Sequence, residues 1–89
     1  MPKIVVTHNV ADVDTWLQFK GERADAIAAM GGSNVVDLVA EDGSNTVAVA
    51  TEVDDAAGVV AALSSPPAEV GAIMERHGVL PPLVVYVEQ

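Results

Sequence analysis

The sequence predicts an α+β domain with the element order β-α-β-β-α-β. Three observations carry that prediction. Apolar, largely β-branched residues run together near both ends and in the middle of the chain, as Ile4-Val5-Val6, Val47-Ala48-Val49-Ala50 and Leu83-Val84-Val85. Segments with helical spacing separate them, bounded by acids at one end and glycines at the other. Between the second and third strand-like runs stands Glu41-Asp42-Gly43-Ser44-Asn45, whose Asp-Gly pair is a strong hairpin signal.

Taken in order, Lys3 to Val10 reads as a strand, and Pro2 suits its start. Asp12 or Asp14 can cap the helix that follows, because a carboxylate accepts from the orphan N–H groups of a first turn. That helix is expected from Asp14 to Met30 and ends at Gly31-Gly32, residues that tolerate a left-handed backbone. Ser33 to Ala40 is the second strand and Thr46 to Val53 the third. Asp54-Asp55 opens a second helix through about Leu63, with acids at its positive end. Ser64-Ser65-Pro66-Pro67 breaks it, Ala68 to His77 restarts as a short helix, and Gly78 stops that. The last strand is expected from Leu83 to Glu88. This order is the split βαβ, ferredoxin-like arrangement: a four-stranded antiparallel sheet with the helices on one face, formed by residues 1–89 as a single domain.

An antiparallel strand with one wet face alternates apolar and polar residues. These strands are apolar on both faces, and the helices cover only one. The chain has 89 residues, 51% of them hydrophobic, so nothing is left over to cover the other face. The simplest cover is the same face of a second copy across a two-fold axis, which makes the expected state a homodimer. A Val-rich sheet left in solvent is the plainer alternative.

Composition excludes several functions. With 13 acids against 4 bases the net charge is −9, and Lys3, Lys20, Arg23 and Arg76 are too scattered to form a basic patch. Neither nucleic acid nor an anionic membrane is therefore expected as a partner. No cysteine is present for disulfides or a thiolate metal site. No signal peptide or membrane span is visible, so a cytoplasmic location is expected. His-x-x-x-His, a Gly-rich phosphate loop, a Walker pattern and Ser-His-Asp logic are all missing, so no metal or organic cofactor is expected.

The run Val6-Thr7-His8-Asn9-Val10-Ala11-Asp12-Val13-Asp14-Thr15-Trp16 resembles the first strand and helix start of small dimeric α/β-barrel proteins. Ser64-Ser65-Pro66, Met74, Gly78-Val79 and Pro81-Pro82 match the same pattern further on. The chain departs from it at Glu41–Asn45, which lacks a basic residue, and at His77, which stands in place of a small or basic one. The superfamily includes cofactor-independent antibiotic biosynthesis monooxygenases, polyketide cyclases, haem-degrading enzymes and stress-response proteins. The resemblance implies a dimeric α/β barrel built from two sheets, and a ligand cleft between each sheet and its own helices.

Six residues are candidates for that cleft. On a helical wheel Trp16, Phe19, Ile27 and Met30 share an apolar face, and Lys20 and Arg23 fall inside it. Their stems can lie on apolar surface with the heads in water or on an acid. Alternatively Arg23, with Lys20, binds a carboxylate, enolate or phenolate oxygen. His8 shares a strand face with Ile4 and Val6, and His77 lies on the stripe Val70, Ile73, Met74. Each can act as a general base near neutral pH, or be a partly buried histidine satisfied by backbone or by a carboxylate. The resemblance adds a third reading for His77, as a haem-iron ligand. Trp16 is a core anchor or a cleft wall. Tyr86 is a hydrogen-bond donor to a ligand or an ordinary strand tyrosine. The expected function is binding of, or cofactor-independent chemistry on, an apolar aromatic or polyketide-like molecule. His8 and Arg23 would be catalytic, and Trp16, Lys20, Tyr86 and His77 would bind the ligand. The alternative is a non-catalytic ligand-binding or dimeric interaction module.

Overall fold

A computed structural model of the chain describes residues 2–89. Four strands, β1 (Lys3–Val10), β2 (Gly32–Val39), β3 (Thr46–Val53) and β4 (Val79–Val87), form one antiparallel sheet in the order β2-β3-β1-β4. Between β1 and β2 lie α1 (Val13–Gln18) and α2 (Lys20–Ala29). Between β3 and β4 lie α3 (Ala56–Ser64) and α4 (Ala68–Arg76). This is the expected ferredoxin-like α+β fold.

The caps follow the acids. Asp12 accepts from the Asp14 amide, and Asp55 accepts from the Gly58 amide. Gly31, with φ of 89°, turns the chain out of the helical region. Gly32 then passes so close to the helix that a Cβ there would collide with Ile27 and with Thr51 Oγ1.

Two elements differ from the expectation. The first helix is broken at Phe19, which caps both α1 and α2. The Trp16 carbonyl, which would accept from residue 20 in an unbroken helix, instead accepts from the Phe19 amide at 3.2 Å and from Arg23 Nη2 at 3.0 Å. A side chain inserted into the ladder is an ordinary cause of a kink. The last strand begins at Val79 rather than Leu83, so it contains Pro81-Pro82, joined by a cis bond. Prolines are tolerated there because β4 is an edge strand. They lie at a bulge: the β1–β4 register shifts between Thr7 and Asn9, leaving His8 without a β4 partner.

The sheet has two distinct faces. Ile4, Val6, His8 and Val10 of β1 and Val47, Val49, Thr51 and Val53 of β3 are buried beneath the helices. The core there divides into one cluster around Ile4, Val6, Val53 and Val59, and another around Val10, Trp16, Val47 and Val49. On the opposite face, Val36, Leu38, Leu80, Val84 and Tyr86 are all exposed. Among the described residues, no single helix is long and apolar enough to cross a membrane.

Candidate functional site

A cavity of about 110 Å³, partly open to solvent, lies between the helix-side face of the sheet and α2, α3 and α4. Its floor comes from β1 and β3, its roof from residues such as Leu63, Ile73 and Met74, and its polar wall from His8, Trp16, Arg23 and His77. Four of the six candidates are thus brought together. Lys20 and Tyr86 are not. Lys20 is exposed, because a wheel drawn through residues 14–30 ignores the break at Phe19. Tyr86 pairs across from Val5 on the open sheet face and is 58% exposed.

Arg23 is held on every side. Its Nε donates to Asp37 Oδ1 at 2.9 Å, its Nη1 to His77 Nδ1 at 3.2 Å and its Nη2 to the Trp16 carbonyl at 3.0 Å. The guanidinium carbon also lies 3.9 Å from the centre of the Trp16 ring, a cation–π contact. The Arg23 and Asp37 side chains are only 9% and 4% exposed, so this is a buried ion pair. Guanidinium has five N–H groups. Three are used in these bonds, which leaves donors of Nη1 and Nη2 for another acceptor.

His77 is 2% exposed and stacks on Phe19, with ring centroids 4.5 Å apart. Arginine only donates, so Nδ1 of His77 must be the acceptor and carry no proton. Its Nε2 then carries the hydrogen and donates to Glu22 Oε1 at 3.3 Å. Glu22 is also bound by Arg76, which holds its carboxyl below the usual range. Burial, aided by the Arg23 charge and opposed by Glu22, pushes the His77 pKa down, in keeping with a neutral ring. Both nitrogens are engaged, so a metal ion at His77 would have to displace Arg23 or Glu22.

His8 is the complement of His77. Its Nδ1 lies 3.1 Å from the Asn9 carbonyl, which only accepts, so Nδ1 is protonated. Burial is the main force pushing its pKa down; the Asn9 bond opposes this and Arg23 adds to it. The neutral ring leaves a lone pair on Nε2, which makes no hydrogen bond among the described residues. The His8 ring stands edge-on to Trp16, centroids 6.2 Å apart. Trp16 itself is fully buried, and its Nε1–H has no partner among the described residues. The site therefore presents an unused base and a charge-balanced guanidinium inside an apolar enclosure.

Asp37, Glu22 and Arg76 are the three polar groups of this network that sequence reasoning missed. Asp37 had a visible signal: two-residue alternation along β2 puts it on the inward face with Val35 and Val39, where an acid needs a buried cation. No group of residues among those described is arranged to hold a metal ion.

No family model and no curated protein matches the sequence. Solved structures do match the fold. An antibiotic biosynthesis monooxygenase superposes with a TM-score of 0.65 at 13% identity, covering 100% of this chain and 97% of that one. A candidate antibiotic biosynthesis monooxygenase from Deinococcus radiodurans gives 0.60 at 11% identity, covering 100% and 91%. A dimeric ferredoxin-like protein from an uncultured marine organism gives 0.57 at 9% identity, covering 100% and 93%. The architecture is thus the ferredoxin-like one that these structures share.

Proposed function

We propose that the chain, as one domain, binds a small apolar ligand in the helix–sheet cavity and performs cofactor-independent proton chemistry on it. The observation that carries this is the pairing of a neutral His8, Nε2 free, with spare Arg23 donors on the wall of one apolar cavity. His8 is the general base, and Arg23 steadies the oxygen on which charge develops. Low polarity around both strengthens each interaction. The names of two structural neighbours favour a monooxygenase-like reaction; a cyclase-like reaction, and an aromatic or polyketide-like molecule as ligand, carry over from the resemblance seen in the sequence. At about 110 Å³ the cavity has room for about one ring. Trp16 and His77 line the ligand space. Lys20 and Tyr86, which lie away from the cavity, have no part in this reading. A second copy covers the open sheet face, as the dimeric neighbour suggests, and the protein works in the cytoplasm.

One observation favours a second reading, a non-catalytic ligand-binding module: Asp37 already balances the Arg23 charge. Solvent exchange at the α-carbons of 2-indanone separates the two. In D₂O near pH 7 the catalytic reading expects protein-dependent deuterium uptake that is lost in His8→Ala. Saturable quenching of Trp16 fluorescence by 2-indanone without uptake favours the module. Neither uptake nor quenching would overturn the small-molecule reading.

A further inference from the structure

We infer that α4 is a movable cover of the cavity, latched to α2 by His77, and that protonation of His77 releases it. The latch rests on the proposed small-molecule site only for what passes beneath the cover. Val70, Ile73 and Met74 of α4 line the cavity, yet no residue of α4 is fully buried. The strand beneath is no tighter: Leu83, Val85 and Val87 of β4 are half-buried, whereas Ile4 and Val6 of β1 are buried. No side chain caps the start of α4 at Pro67. Among the described residues, the side-chain hydrogen bonds that tie α4 and its C-cap to other elements come from Arg76 and His77. Both reach α2, where Glu22 accepts from Arg76 and from His77 Nε2, and Arg23 donates to His77 Nδ1. The Phe19 ring stacks on His77 beside them. A helix with so few buried apolar contacts opens at lower cost than the strands it covers.

The latch closes only on a neutral ring. His77 Nδ1 accepts from Arg23 Nη1 at 3.2 Å, and a proton on Nδ1 would set two cationic donors against each other. The charged groups around the ring are Arg23 and Glu22 of α2 and Arg76 of α4, with Asp37 of β2 holding Arg23 from its other side and His8 of β1 on the same cavity wall. Glu22 favours the charged ring, but it already carries Arg76. Burial and the two arginines oppose it. Once α4 lifts, the ring is solvated and returns to its ordinary value of 6.5. Above that pH both states are neutral. Below it the open state takes up a proton that the latched state refuses, so opening grows about tenfold per pH unit until the latched ring itself titrates.

Backbone amide hydrogen exchange, corrected for intrinsic rates, reads the latch without any ligand. In the wild type the α4 amides are expected to be less protected than those of β1 and β3 at pH 7.5, and to lose about tenfold in protection by pH 5.5. His77→Gln can make both latch bonds but cannot titrate. It should abolish that loss in α4, while β1 and β3 keep the part due to His8. Glu22→Ala, at a part-exposed side chain, should lower α4 protection severalfold already at pH 7.5. The rate at which 2-indanone quenches Trp16, the chain's single tryptophan, should rise wherever α4 opens more. Protection of α4 equal to that of β1 and β3 would overturn the cover, because α4 would then open only by global unfolding. An equal loss of α4 protection in the wild type and in His77→Gln would overturn the switch. Unchanged α4 protection in Glu22→Ala would overturn the latch. If α4 exchange behaves as expected but 2-indanone never quenches Trp16, the small-molecule site falls and the latch stands.

Discussion

Asp37, on β2, accepts a hydrogen bond from Nε of Arg23, on α2, and both side chains are almost entirely shielded from solvent. The pair ties an edge strand to the kinked helix, and it lets a cation sit on the wall of an apolar cavity. Removing one partner strands the other as a buried charge, which costs about 3–5 kcal/mol, whereas removing both does not. Asp37→Ala is therefore expected to lose about that much stability in urea unfolding. Adding Arg23→Met to Asp37→Ala should restore part of the loss. If the second substitution destabilises further, the charge balance assigned to the pair is wrong.

Stability should also depend on pH through the two buried histidines. In both, burial lowers the folded-state pKa from an ordinary value of 6.5. Above about 6.5 both states are neutral and the shift contributes nothing. Below it the unfolded chain takes up protons first, so the folded state loses stability as pH falls, by up to about 1.4 kcal/mol per pH unit for each histidine. The loss stops once pH passes the folded pKa. Glu22 acts lower, around and below its ordinary 4.5, because its folded pKa is depressed and its contribution is lost as it protonates. Denaturant titrations between pH 8 and 5 should show the histidine slope. His77→Gln can still accept from Arg23 and donate to Glu22 but cannot titrate, so its slope should be shallower. An unchanged slope would remove His77 from the account.

Much of the fold was legible because its signals are local. Asp12, Asp55 and Gly31 mark element ends where the structure has them, and two-residue alternation places His8 with Ile4 and Val6 on the buried face. What escaped was decided by partners distant in sequence. The break at Phe19 depends on Arg23 reaching back to the Trp16 carbonyl, which no propensity encodes. Pro81-Pro82 argues against a strand unless β4 is known to be an edge, and sheet order settles that. Within the site, His8, Trp16, Arg23 and His77 stood out as polar or aromatic groups on apolar faces. Lys20 looked like Arg23 because the wheel assumed a continuous helix. Asp37 is readable from its alternation, but it lies in the segment Ser33 to Ala40, which reads as a strand apolar on both faces.

Gly32 offers a test of how tightly the helix–strand corner is set. A methyl group there would meet Ile27 and Thr51 Oγ1, and Thr51 already donates to the Ser33 carbonyl at 2.8 Å. Overpacking of this kind usually costs about 1–3 kcal/mol. Gly32→Ala is expected to fall in that range by chemical denaturation. Gly71→Ala, a helical site with nothing within 4 Å of the added carbon, should be neutral or slightly stabilising. Equal effects at the two sites would mean that the corner relaxes freely.

The open sheet face makes the sharpest prediction about assembly. Val36, Leu38, Leu80, Val84 and Tyr86 form an exposed apolar surface, and none of the helices among the described residues covers it. Val84 pairs with Thr7 of the inner strand β1, so its side chain stands on the face a second copy would cover. A two-fold axis brings like surface to like surface, so one substitution alters both sides of the interface. Val84→Glu would bury an unpaired carboxylate in each protomer, on chains that already carry a net charge of −9. Sedimentation equilibrium is expected to give a dimer for the wild type and a monomer for Val84→Glu. Glu69→Gln, an exposed change at the start of α4 on the helical side, should leave the dimer intact. A wild-type chain that sediments as a well-folded monomer at micromolar concentration would refute the paired sheets. The face would then be apolar surface that the fold tolerates in water.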